Sequence, residues 1–256
     1  MGSPEFFSEK PEGLLAEKPE LCERRAVNRT VDVVSSALVT GLALGGGYRV
    51  FRTARQPEKL LELYEFESCP FCRKVREALT AFDLDARIYP SPPGGSRYRD
   101  VAIKLGGKSQ FPLLIDPNTS RQMYESNEII QYLATTYGDG SVPLTLRLGP
   151  LTDIRSGLAS AARPFGHRAR PSRAPEKPLE LFSFEASPFC RIAREALCRL
   201  EIPYTLHNVG KGSAKRDAYV ARSGRMMVPF LVDPNTDTAM FESAEIARYL
   251  ESTYAS

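Results

Sequence analysis

"FESCPFCRKVREAL", residues 66–79, and "FEASPFCRIAREAL", residues 184–197, decide how this chain is read. The two stretches match closely, except that Ser187 stands where the first has Cys69. In each, a short apolar strand rich in Leu and aromatics runs into a turn and then a helical pattern. The repeat continues outward. Cys72 and Cys190 lie 118 positions apart. Pro112 and Pro229, Asp116 and Asp233, and Glu125-Ser126 and Glu242-Ser243 lie 117 apart, so one residue has been lost between the early and late landmarks. "LLIDPNT" is answered by "FLVDPNT", and "YESNEIIQYL" by "FESAEIARYL". Self-similarity of this kind marks a duplicated domain.

Each copy predicts the same order of elements. "LLELYEF" and "LELFSF" are first strands. In the helix that follows, Phe71, Val75, Leu79 and Phe82 fall on one face, as do Phe189, Ala193, Leu197 and Leu200. "ARIYPS" and "YTLHNV" are second strands, and helices near "YRDVAIKLGG" and "KRDAYVARSG" stop at Gly. The third strand ends in Asp-Pro-Asn-Thr and opens a hairpin. The last helix begins after Ser126 or Ser243 as N-cap, with Ile129, Leu133, Tyr137 and Ile246, Leu250, Tyr254 as its buried face. The expected organisation is a tail and pre-helix over 1–57, domain one over 58–139, a pre-helix and basic Pro-rich linker over 140–177, and domain two over 178–256. The pre-helices are placed at "TGLALGGG" and "SGLASAAR". The fold class is α/β, each domain a mixed sheet of about four strands flanked by helices.

Composition bounds the function. The chain has 256 residues, 42% hydrophobic and 25% charged, the balance of a globular protein. A net charge of +3 does not argue for nucleic acid, and none is expected as a partner. Five Cys do not make a disulfide scaffold, and a reducing compartment is expected. The apolar stretch from Val31 contains Asp32 and a Gly triplet, and its uncharged run is shorter than the roughly 20 residues that cross a bilayer. No transmembrane segment is expected. "MGSPEF" at the start reads as an expression remnant, so a targeting peptide and the native start are not visible.

The Cys-Pro-Phe-Cys frame fits thiol chemistry. A thiol attacks only as thiolate, and a helix N-terminus stabilises that anion through unpaired N–H groups and the positive end of its dipole. Cys69 is placed at the N-cap, Pro70 at the first helical position, and Arg73 and Lys74 one turn in, where they add positive charge. Cys72 lies close enough to form or resolve a disulfide. Two core cysteines are the plainer alternative. A zinc site would need two further ligands, and the only histidines are His167 and His207. No metal is expected, with a bridging iron–sulfur cluster as a lesser alternative.

On these residues both copies resemble the amino-terminal domain of glutathione transferases and the related glutaredoxins, over Leu60 to Tyr137 and Leu179 to Tyr254. The first copy is particularly similar to glutaredoxins, omega-type transferases and the glutaredoxin-like domain of membrane-associated prostaglandin E synthase. The tandem resembles a plant-type chloroplast family, which implies the chloroplast stroma; a cytoplasmic reducing compartment is the alternative. The resemblance implies a thioredoxin-like fold and glutathione as co-substrate. It implies that Cys69 is the nucleophile that becomes glutathionylated and Cys72 the resolving thiol. Phe111-Pro112 and Val228-Pro229 match the cis-proline step that faces the glutathione backbone. Glu125-Ser126 and Glu242-Ser243 match the pair that grips the γ-glutamyl end. Lys108 and Arg225, four residues before each Pro, are candidates for the glycine carboxylate.

The departures also carry expectations. Transferases continue into a helical domain that holds the electrophile, and neither the space after copy one nor that after copy two holds it. Poor conjugation of bulky electrophiles is therefore expected. In copy two Ser187 cannot form a mixed disulfide. Cys198 cannot substitute for it along the same helix, since eight residues at 1.5 Å rise span roughly 12 Å, beyond disulfide reach. The degenerate second site, Ser187, Cys190, Val228, Pro229, Glu242 and Ser243, is expected to keep the fold and lose thiol–disulfide turnover. Cys22, Cys198 and the linker arginines are read as a tail thiol, a core residue and solvated charges. The expected function is a glutathione-dependent thiol–disulfide oxidoreductase acting on thiol or disulfide substrates through domain one. The alternatives are a non-catalytic glutathione-binding or scaffold protein, or a transferase-like enzyme without the helical domain.

Overall fold

The first strand of each copy enters the core, with four of its five residues buried. Leu61 and Leu63 of β1 (Leu61–Glu65) pack into the main hydrophobic cluster, while Tyr64 turns to a smaller one with Cys72 and Leu113. The structure, a computed structural model, describes residues 47–147 and 168–256. Cys22, His167, the second expected pre-helix and, up to residue 46, the first pre-helix and the stretch from Val31 lie outside the described residues.

Copy one continues with α1 (Pro70–Ala81), β2 (Ala86–Pro90), α2 (Arg99–Gly106), β3 (Leu113–Asp116), β4 (Arg121–Met123) and α3 (Ser126–Thr136). A short α4 (Leu144–Arg147) follows. Copy two repeats the order with β5 (Leu179–Ser183), α5 (Pro188–Arg199), β6 (Tyr204–Asn208), α6 (Arg216–Ser223), β7 (Phe230–Asp233), β8 (Thr238–Phe241) and α7 (Ser243–Tyr254). The middle helices stop at Gly107 and Gly224, at φ 76 and 79, a conformation that costs glycine nothing. The Asp-Pro-Asn-Thr turns are built for structure. Asn118 ties the turn to Lys59 in both directions, and Asp116 receives the hydroxyls of Tyr132 and Tyr137. Asn235, Lys177, Asp233, Tyr249 and Tyr254 repeat the arrangement.

Within each copy the first and second strands are parallel and the rest antiparallel. The two four-stranded units join into one eight-stranded sheet, in the order β4-β3-β1-β2-β6-β5-β7-β8. The seam is β2 against β6, antiparallel, with Ile88 opposite Tyr204 and Ala86 opposite Leu206. Each strand would otherwise be a bare sheet edge, with unpaired N–H and C=O groups. The segment that precedes each copy crosses to the other one. Val50 N donates to Lys211 O at 2.9 Å, and Ala169 N donates to Pro93 O at 3.3 Å.

The described arginines of the basic linker, Arg168, Arg170 and Arg173, are exposed, while its backbone is bonded. Its described part, 168–177, is a bonded strap. Arg170 N donates to Arg199 O and Arg173 N to Tyr254 O, both at 2.8 Å, while Arg173 Nε donates to Thr253 O at 2.7 Å. The expected N-caps shift. Glu125 and Glu242, at φ 62 and 69, occupy the cap positions, and Ser126 and Ser243 are the first helical residues.

Candidate active site

The site of copy one is assembled at the point where β1 ends and α1 begins. Cys69 caps the helix from an extended conformation, with Pro70 in the first turn, where its missing N–H costs no hydrogen bond. The Cys72 N–H donates to Cys69 Sγ at 3.3 Å, and the thiol faces Phe111 O at 4.0 Å. Phe111-Pro112 is cis. A cleft opens at this sulfur, lined by Phe66, Cys69, Phe71, Arg99, Phe111 and Ser126 among others. Gln110, Pro112 and Glu125 lie on the same wall, and Gln110 donates to the Glu125 carboxylate. Ser126 is buried at the start of α3, whose first N–H groups have no partner within the helix.

The environment separates the two thiols. A hydrogen bond from the Cys72 thiol lowers the pKa of Cys69, aided by the backbone N–H groups of Cys72 and Phe71. Burial and the charge of Glu65 oppose it. Burial pushes the Cys72 thiol well up, and its bond to Cys69 adds to that. One sulfur is thus prepared to be an anion beside an open cleft, and the other to keep its proton behind it.

Arg73 and Lys74 do not supply the positive charge expected of them. Both are buried, and they point elsewhere. Arg73 Nε donates to Glu77 Oε1 at 3.1 Å, and Lys74 Nζ donates to Asn127 Oδ1 at 2.7 Å, joining α1 to α3. Phe71 also departs from the expected face. It is exposed and borders the cleft, because the first helical turn faces the opening; Phe189 is exposed in the same position. Lys108 does not line the cleft: its ammonium stands over the Tyr124 ring, 5.7 Å from the centroid. Arg225 repeats this over Phe241 at 4.2 Å.

The cleft cation is Arg99, which sequence reading missed. It stands 4.6 Å over the Phe111 ring and donates through Nη1 to Ser91 O at 3.0 Å. A signal for it existed: Arg216 repeats it in copy two, at the same helix start, donating to Val209 O at 3.1 Å.

Copy two keeps the frame. Ser187 caps α5, and the Cys190 N–H donates to Ser187 Oγ at 3.2 Å. Val228-Pro229 is cis, Glu242 carries the same positive φ as Glu125, and Ser243 is buried. Cys190 is fully buried, and burial raises its pKa. Cys198 is buried too, its sulfur accepting from Glu67 N at 3.4 Å across the seam.

The glutathione S-transferase, N-terminal domain matches this chain twice, over residues 63–141 and 181–256. The chain belongs to that family. Two transferase-type domains of thioredoxin-like fold, each with its cap residue and cis-proline in place, tie it to glutathione-related chemistry. A solved structure, the trimeric glutathione transferase TDR1 of Leishmania, is similar at 16% identity over 75% of this chain and 68% of its own. Its TM-score is 0.27. Among the described residues no group of three or more His, Cys, Asp or Glu is placed to hold a metal ion. Among them, no helix is long and apolar enough to cross a membrane.

Proposed function

We propose that the first transferase-type domain is a glutaredoxin-like, glutathione-dependent thiol–disulfide oxidoreductase. The observation that carries this reading is Cys69 at the helix cap, its sulfur held at 3.3 Å by the Cys72 N–H at the floor of an open cleft. The Cys69 thiolate attacks the glutathione-side sulfur of a mixed disulfide. The substrate leaves as a thiolate, and Cys69 carries glutathione. A second glutathione thiolate attacks that glutathione sulfur, releasing glutathione disulfide and regenerating Cys69. Cys72, with its raised pKa, keeps its proton and its hydrogen bond to Cys69. The cleft wall supports glutathione in particular. Ser126 and the N-terminus of α3 complement the γ-glutamyl carboxylate, Glu125 its ammonium, and Arg99 the glycine carboxylate. The proposed substrates are glutathionylated thiols of proteins or small molecules. The proposed setting is a reducing compartment, the chloroplast stroma in view of the resemblance of the tandem.

The test is deglutathionylation of a model mixed disulfide. Cys69→Ser removes at least about two orders of magnitude of activity, as expected when a covalent nucleophile is lost. Cys72→Ser keeps a measurable part, because this cycle uses one sulfur. Full activity in Cys69→Ser sinks the proposal, and a Cys69 that alkylates no faster than a free thiol favours a non-catalytic scaffold.

A further inference from the structure

The turn after each first helix carries an acidic residue in the left-handed region, Asp83 at φ 57 and Glu201 at φ 47. Each acid reaches into the other copy. The Glu201 carboxylate accepts from Ser96 N at 3.1 Å and from Arg97 N at 3.0 Å. Arg97 returns the contact: Nη1 donates to Glu201 O at 2.7 Å and Leu200 O at 3.1 Å, and Nη2 donates to Ser172 O of the strap at 2.8 Å. The approach is so close that a Cβ at Gly95 would stand 2.5 Å from Glu201 Oε1 and 2.9 Å from Pro92 O. The loop 91–98 of copy one is therefore shaped by copy two. That loop leads directly into α2, whose first residue is Arg99. Arg99 in turn donates to Ser91 O at the loop's other end and lines the Cys69 cleft.

We propose that Glu201 is a positioning residue for the Cys69 cleft, acting through Arg99. The copy without the sulfur thereby sets the glutathione affinity of the copy that has it. The inference rests on the glutathione reading of that cleft. The mirror arrangement supplies an internal control. Asp83 accepts from Ser213 Oγ at 3.0 Å and Ala214 N at 3.3 Å, and Lys215 Nζ donates to Asp83 O at 2.8 Å. Asp83 therefore shapes the loop that leads to Arg216, on the Ser187 side.

Two rates at Cys69 test the proposal in the full chain, both followed by peptide mass spectrometry. One is glutathionylation by glutathione disulfide, in which the thiolate takes one half and releases the other as glutathione thiolate. The other is alkylation by iodoacetamide, which has no carboxylate to recognise. Glu201→Ala slows the first about tenfold, the loss of roughly one charge-assisted hydrogen bond, and leaves the second unchanged. Glu201→Gln, which keeps one acceptor oxygen, falls between. Arg99→Ala gives the same selective loss, and the double variant Arg99→Ala, Glu201→Ala is no worse than Arg99→Ala alone. Asp83→Ala leaves both Cys69 rates as they were. Additive losses, a parallel fall of both rates, or an equal loss in Asp83→Ala overturn the positioning role. So does full discrimination in Glu201→Ala and Glu201→Gln. A wild type that reacts no faster with glutathione disulfide than with hydroxyethyl disulfide overturns the glutathione reading itself, and this inference with it.

Discussion

The two copies hold a sulfur and a hydroxyl in the same cap, with N–H donors at 3.3 and 3.2 Å. The difference between them runs deeper than that atom. Beneath Cys69 the first strand ends in Glu65; the equivalent residue beneath Ser187 is Ser183, whose buried hydroxyl has no hydrogen-bond partner among the described residues. Glu65 belongs to a buried ionic cluster at the seam. Arg76 pairs with Glu65, with Glu67 at 3.3 Å and with Glu185 at 2.9 Å, while Arg194 pairs with Glu67 and Glu185, each at 3.0 Å. These three carboxylates share the guanidinium groups of Arg76 and Arg194, and Glu185 also lies 3.9 Å from Arg73 Nε. Burial raises the pKa of Glu65, which pairs with Arg76, to about 7, whereas Glu67, held by Arg194 and Arg76 against its burial, drops to about 2. The cysteine cap thus has a carboxyl group beneath it, and the serine cap a hydroxyl. What the copies kept in common is the cross-bracing, which each needs from the other.

The largest expected effect lies in that cluster. Arg76→Met leaves Glu65 without its paired guanidinium, and Glu67 and Glu185 with Arg194 and, for Glu185, Arg73. It should destabilise the chain by about 3–5 kcal/mol, the usual cost of removing one partner from a buried pair. Arg194→Met should cost less, because Arg76 still reaches all three carboxylates. Chemical denaturation of both variants ranks them, and the reverse order breaks the assignment of Arg76 as the hub.

Next comes the pH dependence. The folded chain holds a proton on Glu65 up to about pH 7, against an ordinary 4.5. Between those values the native state binds more protons than the unfolded one, so this group's contribution to stability falls as pH rises from 4.5 towards 7. Glu67 contributes the opposite slope only below the ordinary 4.5. Denaturation at pH 5 and pH 7 should show Glu65→Gln removing about 2 kcal/mol of difference between the two conditions. An unchanged difference in Glu65→Gln shows that this carboxyl is not the group that titrates.

The smallest effect is the most direct comparison. Ser187→Cys should give a thiol whose pKa is below the roughly 8.5 of a free cysteine, and no higher than that of Cys69. The cap geometry is the same, and the charge that opposes the Cys69 anion is absent. Iodoacetamide labelling against pH, in a Cys69→Ser, Ser187→Cys background, reads this. Labelling only above about pH 8 means copy two has drifted beyond its nucleophile.

Parts of this were legible in the chain and parts were not. The element order, the Gly stops and the hairpin turns are local and repeat twice, so each copy checks the other. Cys69, Phe111, Pro112, Glu125 and Ser126 were found from landmarks and are gathered at one cleft. Lys108 lies close to Pro112 along the chain but outside the cleft, whereas Arg99 is further away in sequence and lines it. Arg73 and Lys74 stand one turn into the helix, where positive charge is expected to favour the thiolate; nothing local says that Glu77, Glu185 and Asn127 receive them.

What the sequence determined by itself is the repeated frame: strand, capped helix, second strand, glycine-stopped helix, hairpin and last helix. Each signal lies within a few residues of what it controls, and backbone geometry enforces it directly. Only the tertiary structure decided that the two sheets join at β2 and β6, that the arginines of α1 and α5 share carboxylates across the seam, and that Glu201 shapes the loop before Arg99. Strand edges pair through backbone groups that every residue carries. Glu201 also meets its partners at sequence separations of 104 and 105, so their pairing follows from where the folded copies dock.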